Sequence, residues 1–224
     1  MAGDHGGDRA APLLTDPVLS AGWDAALRLA WSGLLAGTTP VGAVVVTAAG
    51  LVTATGRGRR YESAGPDGQL AGSHVAHAEV NALAQLTASR DYPGCFLLTT
   101  LEPCGMCHGA AVQSTVSGVF YAGRDPYGGT ASLRFTTPQA RRRSLAVDGP
   151  LPDARGALAE ILHLAFLLGR PSAGHVVDVH AESMPELTAY VREVGDDLSI
   201  AVRQGDFDAA LGIAAAAPRP LTGA

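Results

Sequence analysis

Two imidazoles and a carboxylate fall within six residues of the stretch HVAHAEV, as His74, His77 and Glu79, and about 25 residues later the chain reads TLEPCGMC, with Cys104 and Cys107 three apart. Thiolates and imidazoles are zinc ligands, and a carboxylate beside a metal can carry protons. If PCGMC opens a helix, Cys104 and Cys107 share one face and sit at the positive end of the helix dipole, which favours thiolates. A third protein ligand and a water would make a catalytic site; four protein ligands would make a structural one. His77, at the start of a second helix leaving the same sheet, is the best third ligand. His74 or His108 could supply a fourth and close the metal. Glu79 lies two residues from His77, a spacing that in mid-helix puts it on another face. A proton-carrying role therefore requires that the first turn bring both side chains to the metal.

These residues need a scaffold, and the flanking segments supply its parts. TDPVLSAGWDAALRLAWSGLLAG opens with a capping Thr15 or Asp16 and Pro17 and repeats Trp23, Leu27, Ala30, Trp31 and Leu34 at helical spacing until Gly37. PVGAVVVTAAGLVTATG predicts two strands about a turn near Ala49 and Gly50, the first β-branched enough to be buried on both faces. HAEVNALAQLTASR predicts a helix, CFLLTT a central strand, HGAAVQSTV a helix and SGVFYAG a further strand. The order β-β-α-β-α-β implies a mixed sheet covered by helices. Beyond it, PDARGALAEILHLAFLLG, MPELTAYVREV and DFDAALGIAAAA predict helices and HVVDVH a short strand. Residues 1–14 are expected to be disordered, 15–143 to form the main domain, and 144–224 a mostly helical extension.

At 224 residues, with a net charge of -5 and a pI near 5.7, the chain has the composition of one domain plus an appendage and no footprint for a polyanionic partner. The run Arg141 to Arg143 is read as a solvated loop. A polar, acidic N-terminus and the lack of an apolar run of about eighteen residues predict a cytoplasmic location and no membrane association. Three cysteines do not make a disulfide framework, and a thioredoxin-like pair would have no use for HAE. Cys95 reads as a small buried strand residue, and His163 as a satisfied core or interface histidine. His175, Asp178 and His180 read as ordinary solvated or hydrogen-bonded residues, since only Asp178 and His180 would share a strand face. The apolar ALAEILHLAFLLG could serve intramolecular packing or an oligomer contact equally.

The pairing of H-x-E with P-C-x-x-C is the zinc-deaminase signature, and it is matched at His77-Ala78-Glu79 and at Pro103-Cys104-Gly105-Met106-Cys107. In order and spacing, PVGAVVV, AHAEVNAL, TLEPCGMC and VFYAGRDPYGG resemble the cytidine and deoxycytidylate deaminase superfamily, most closely its tRNA adenosine deaminase and guanine deaminase branch, over about residues 16–135. The resemblance implies a three-layer α/β/α fold around a five-stranded mixed sheet, a Zn2+ cofactor on His77, Cys104 and Cys107, and Glu79 as proton shuttle in hydrolytic deamination. It further implies a pocket lined near Ala78 and Pro103, and a homo-oligomer, expected to be a dimer. Gly58 stands about where these relatives carry a substrate-contacting asparagine; no asparagine lies near it, and the long loop to His77 could supply the contact instead. The acidic chain and a tail unlike that of the tRNA enzymes favour a nucleobase, nucleoside or related amino-heterocycle as substrate. Deamination of tRNA adenosine to inosine is the alternative, and a non-catalytic zinc-binding module a further one.

Overall fold

The computed structural model describes residues 14–132, 137–143 and 145–218. The expected disorder of residues 1–14 falls outside these apart from Leu14, which is buried and accepts the indole N–H of Trp23 at 3.2 Å. A 3-10 turn at Pro17–Leu19, capped by the Asp16 carboxylate, leads into α1 (Ser20–Leu35). Then follow β1 (Gly42–Thr47), β2 (Val52–Arg57), α2 (Ala78–Leu83), β3 (Cys95–Leu101), α3 (Gly105–Gln113) and β4 (Gly118–Gly123). The rest comprises α4 (Pro138–Arg143), β5 (Ala146–Asp148), α5 (Ala154–Leu168), α6 (Gly174–Ser183), α7 (Pro185–Glu193), α8 (Gly195–Gln204) and α9 (Phe207–Ala215).

The five strands form one sheet in the order β2-β1-β3-β4-β5, with β1 antiparallel to β2 and β3, and β3, β4 and β5 mutually parallel. β1 alternates between the two faces. Val44 and Val46 enter a core with Trp23, Leu27 and Trp31 of α1 and Leu158, Ile161 and Leu162 of α5, while Ala43 and Val45 enter a second core with Ala78, Ala82 and Leu83 of α2 and Ala111 of α3. Helices thus cover both faces, as expected of the three-layer α/β/α arrangement. α7, α8 and α9 add Leu187, Val191, Leu198, Ala201, Ala210 and Ala214 to the first core. β5 and α5, which complete the sheet and its cover, both lie past Arg143.

In α5, Leu158, Ile161, Leu162 and Leu164 are fully buried within the chain. Each such burial is worth about 1.5–3 kcal/mol, so this face is committed to the protein's own core and is not available to a second copy. Among the described residues no helix is long and apolar enough to cross a membrane.

Four local readings are corrected. HVVDVH is helical: it lies within α6, where Val177 and His180 are buried one turn apart against α5, and packing overrides the β-branched propensity. α2 stops at Leu83 because Thr87 and Ser89 bond each other and their own backbone, which competes with further helical turns. α8 was not anticipated, although Asp196 and Asp197 in its first turn, Arg203 in its last and the left-handed Gly205 that ends it are ordinary helix signals. Arg141 to Arg143 are exposed as expected, but on the short helix α4 and not in a loop.

Candidate active site

β3 ends at Leu101, and the chain turns through Glu102 and Pro103 into α3, so that Cys104 is the residue before the helix and Cys107 its third. α2 is entered in the same way, with His77 in extended conformation (φ -82°, ψ 153°) before the helix and Glu79 second within it. Neither His77 nor Cys104 spends its side chain capping its own helix. Because His77 lies outside the helical turn, the mid-helix rule for i and i+2 does not apply to it and Glu79.

The three candidate ligands converge. His77 Nδ1 lies 3.5 Å from Cys107 Sγ and 3.7 Å from Cys104 Sγ, and the two sulfurs are 3.6 Å apart. Zinc bonds of about 2.3 Å to sulfur and 2.0–2.1 Å to nitrogen set tetrahedral edges of about 3.8 Å (S to S) and 3.6 Å (N to S). The donor set thus has the size and chemistry of a three-point zinc site without adjustment. Neither alternative ligand joins it: His74 is exposed against the Arg60 guanidinium, and His108, buried in α3, is engaged with the backbone at Thr130. Without metal, the hydrogen bond from Cys107 lowers the Cys104 thiol to about pKa 3, and the thiolate in turn raises His77. The Cys107 thiol, which donates that bond in a buried position, is pushed up.

Glu79 is 4% exposed, and Thr99 of β3 donates its hydroxyl to Oε1 at 3.1 Å. Burial raises its carboxyl above the ordinary range. A carboxyl group whose charged form burial disfavours is suited to take up a proton and return it.

The cluster stands in the wall of a cavity of about 470 Å³, a size suited to a small molecule. Gly58 and Ala78 line it, as does Glu102; Pro103 is buried behind the wall, where its carbonyl accepts the N–H and hydroxyl of Thr130. Gly58 leaves no room for a side chain, because a Cβ there would meet the Thr39 carbonyl at 2.6 Å. The wall opposite the ligands was invisible to sequence reasoning: His163, Phe166 and Leu167 of α5, then Arg170, His175 and Val176 roof the cavity. Across its rim the Arg170 guanidinium lies 3.8 Å over the Tyr61 ring, and the Tyr127 hydroxyl is 3.1 Å from His175 Nε2. A wider groove between α5, α7 and α8 contains none of these groups.

Sequence comparisons agree with this geometry. Residues 20–123 match the family described as the cytidine and deoxycytidylate deaminase zinc-binding region. The chain is 37% identical over 120 residues to the tRNA(Ile)-lysidine synthase of Deinococcus radiodurans, an overlap of 52% of this chain and 19% of that protein. The chain thus spans about a fifth of the length of that relative. It is 29% identical over 128 residues to the tRNA-specific adenosine deaminase of Bacillus subtilis, covering 54% of this chain and 74% of that one. A protein crystallised as a point mutant with 8-azaguanine superposes with a TM-score of 0.50 at 25% identity, over 73% of this chain and 98% of the other. Residues 20–123, the stretch that matches this family's zinc-binding region, fold around a His/Cys/Cys cluster fit for zinc.

Proposed function

We propose that the protein hydrolytically deaminates a small amino-substituted heterocycle, a nucleobase or nucleoside, with His77, Cys104 and Cys107 holding zinc and Glu79 moving protons. The observation that carries this reading is the position of Glu79, a buried carboxyl in the first turn of the helix that the candidate ligand His77 precedes, at the wall of a cavity sized for a small molecule. Zinc held by two thiolates and an imidazole would act as a Lewis acid and lower the pKa of water. Glu79 takes a proton as the water oxygen bonds to the ring carbon, and delivers it to the exocyclic nitrogen as the C–N bond breaks and ammonia leaves. Thr99 holds the carboxyl group in place through its hydroxyl. A purely structural zinc would leave this buried acid without a task.

The roof supports a small substrate over tRNA, because α5 and the start of α6 add their own walls to the cavity that His77 and Cys104 line. The names of the tRNA-acting relatives favour the other reading. Ammonia release by the zinc-loaded protein across cytosine, adenine, guanine, their nucleosides and unmodified tRNA, with Glu79→Ala alongside, decides between them. Release from one small compound, lost in the variant, is expected; release from tRNA alone would overturn the substrate class.

A further inference from the structure

We propose that Asp125, His163 and His180 form a second divalent-metal site, which fastens α5 and α6 to the loop after β4. The three residues come from three separate segments, yet one potential ligand atom of each lies within 4.8 Å of the other two. None of them belongs to the His/Cys/Cys cluster.

The hydrogen bonding of His180 makes the case. The ring is 1% exposed, and Nδ1 lies 2.9 Å from the Val176 carbonyl oxygen, an acceptor only, so Nδ1 carries the proton. Nε2 of the neutral ring is then a bare lone pair, buried, with no partner, and it faces Asp125 Oδ1 at 4.0 Å. Two acceptors thus confront each other. A proton between them would still leave 4.0 Å, beyond hydrogen-bond reach. His163, 8% exposed with its ring centroid 5.6 Å from that of His180, adds a second buried nitrogen without a partner, Nδ1. Buried polar atoms in folded proteins are almost always satisfied, and a divalent cation held among these three residues would satisfy the His180 nitrogen that faces the carboxylate.

Two imidazoles and one carboxylate are donors for zinc, cobalt(II), iron(II) or nickel(II) rather than for calcium or magnesium. The Val176 carbonyl fixes the His180 tautomer with Nε2 free, the role that an outer hydrogen bond commonly plays behind a histidine ligand. Asp125 is held as well: Oδ1 accepts the Tyr127 and Gly128 N–H groups at 3.0 Å, and Glu102 accepts the Asp125 N–H. Bonds of about 2.0–2.1 Å to nitrogen and oxygen give a tetrahedral edge near 3.4 Å, so metal binding closes the 4.0 Å gap by about half an ångström. His163 and Asp125 also line the cavity.

The test is cobalt(II) titration of the metal-free full-length protein, read by stoichiometry and by absorption spectrum. Wild type is expected to bind two equivalents, one with the thiolate-to-cobalt charge-transfer band and one without it. The double variant Cys104→Ala/Cys107→Ala is expected to keep one equivalent that lacks the band. Both His180→Gln and Asp125→Asn are expected to lose one equivalent while the thiolate band persists, which also shows that these variants fold. Saturation of wild type by a single equivalent, or two equivalents retained in either of the last two variants, overturns the second site. Neither outcome bears on deamination, which rests on the other cluster.

Discussion

His77 and Cys104 occupy equivalent places in the fold: each is the extended residue before a helix, each leaves its own helix without a side-chain cap, and their ligand atoms come within 3.7 Å. The N-terminal ends of two helices therefore meet at one spot, and their dipoles favour negative charge there.

The first consequence concerns the metal-free protein. With its thiol lowered to about 3, Cys104 is ionised throughout the accessible pH range, whereas Cys107 is shifted up. Alkylation by iodoacetamide at pH 5, followed by peptide mapping, is expected to modify Cys104 and spare Cys107, and stoichiometric zinc is expected to protect both. Equal labelling of the two, or no protection, would contradict the assignment of ligands.

Glu79→Gln separates chemistry from folding. The amide can still accept from the Thr99 hydroxyl, but it cannot carry a proton. Turnover is expected to fall by about 10²–10⁴-fold, the usual contribution of a positioned acid/base. Zinc content and thermal stability should not fall, because the substitution removes a carboxylate that burial disfavours. A variant that loses zinc with its activity would make Glu79 a structural residue instead.

Glu160 gives a pH dependence of known sign. It accepts the Arg124 N–H at 2.9 Å, and burial raises its folded-state pKa above the ordinary 4.5. Between those two values the native state binds more protons than the unfolded chain, so this group's contribution to stability is present below 4.5 and lost as pH rises through the raised value. Relative to Glu160→Gln, wild type should therefore lose stability as pH increases across that window, in urea unfolding followed at several pH values. Parallel curves for the two proteins would remove Glu160 from the account.

Gly56 controls the site from a distance. A Cβ at this position of β2 would lie 2.1 Å from the Ala78 carbonyl oxygen and 2.4 Å from the Ala82 amide nitrogen, inside the backbone of α2. Gly56→Ala is expected to cost about 1–3 kcal/mol and, by displacing the turn that bears His77 and Glu79, to lower kcat although no ligand has changed. Chemical denaturation and steady-state rates measure both; a variant with native stability would show that α2 is free to shift.

The chemistry of the site was legible because its members lie in two short motifs, and the strand before Cys104 and the helix after His77 are both strong local patterns. The sheet was legible from β1 and β3, whose buried residues include Val44, Val45 and Val46 and Leu97, Leu98 and Leu101. The roof was not. Nothing local distinguishes His163 in an apolar helix from a packed histidine, and the Val-Val-Asp-Val run of α6 favours a strand until α5 is there to pack against it. His180 meets Asp125 and His163 only through that packing, and its bond to Val176 exists only in a helix. Contacts between elements distant in sequence leave no mark in local periodicity.

All four groups assigned to the proposed reaction sit on first turns or caps of α2 and α3, while another wall of the cavity comes from α5 and α6. On the proposed function, reactivity and recognition are carried by separate pieces of chain, joined by a sheet that belongs to neither. Such a molecule is modular in its capacity to change: substitutions in α5, in α6 or in the loop after Arg57 can reshape what fits without disturbing the atoms that react. It can acquire a new substrate before it has to solve the chemistry again.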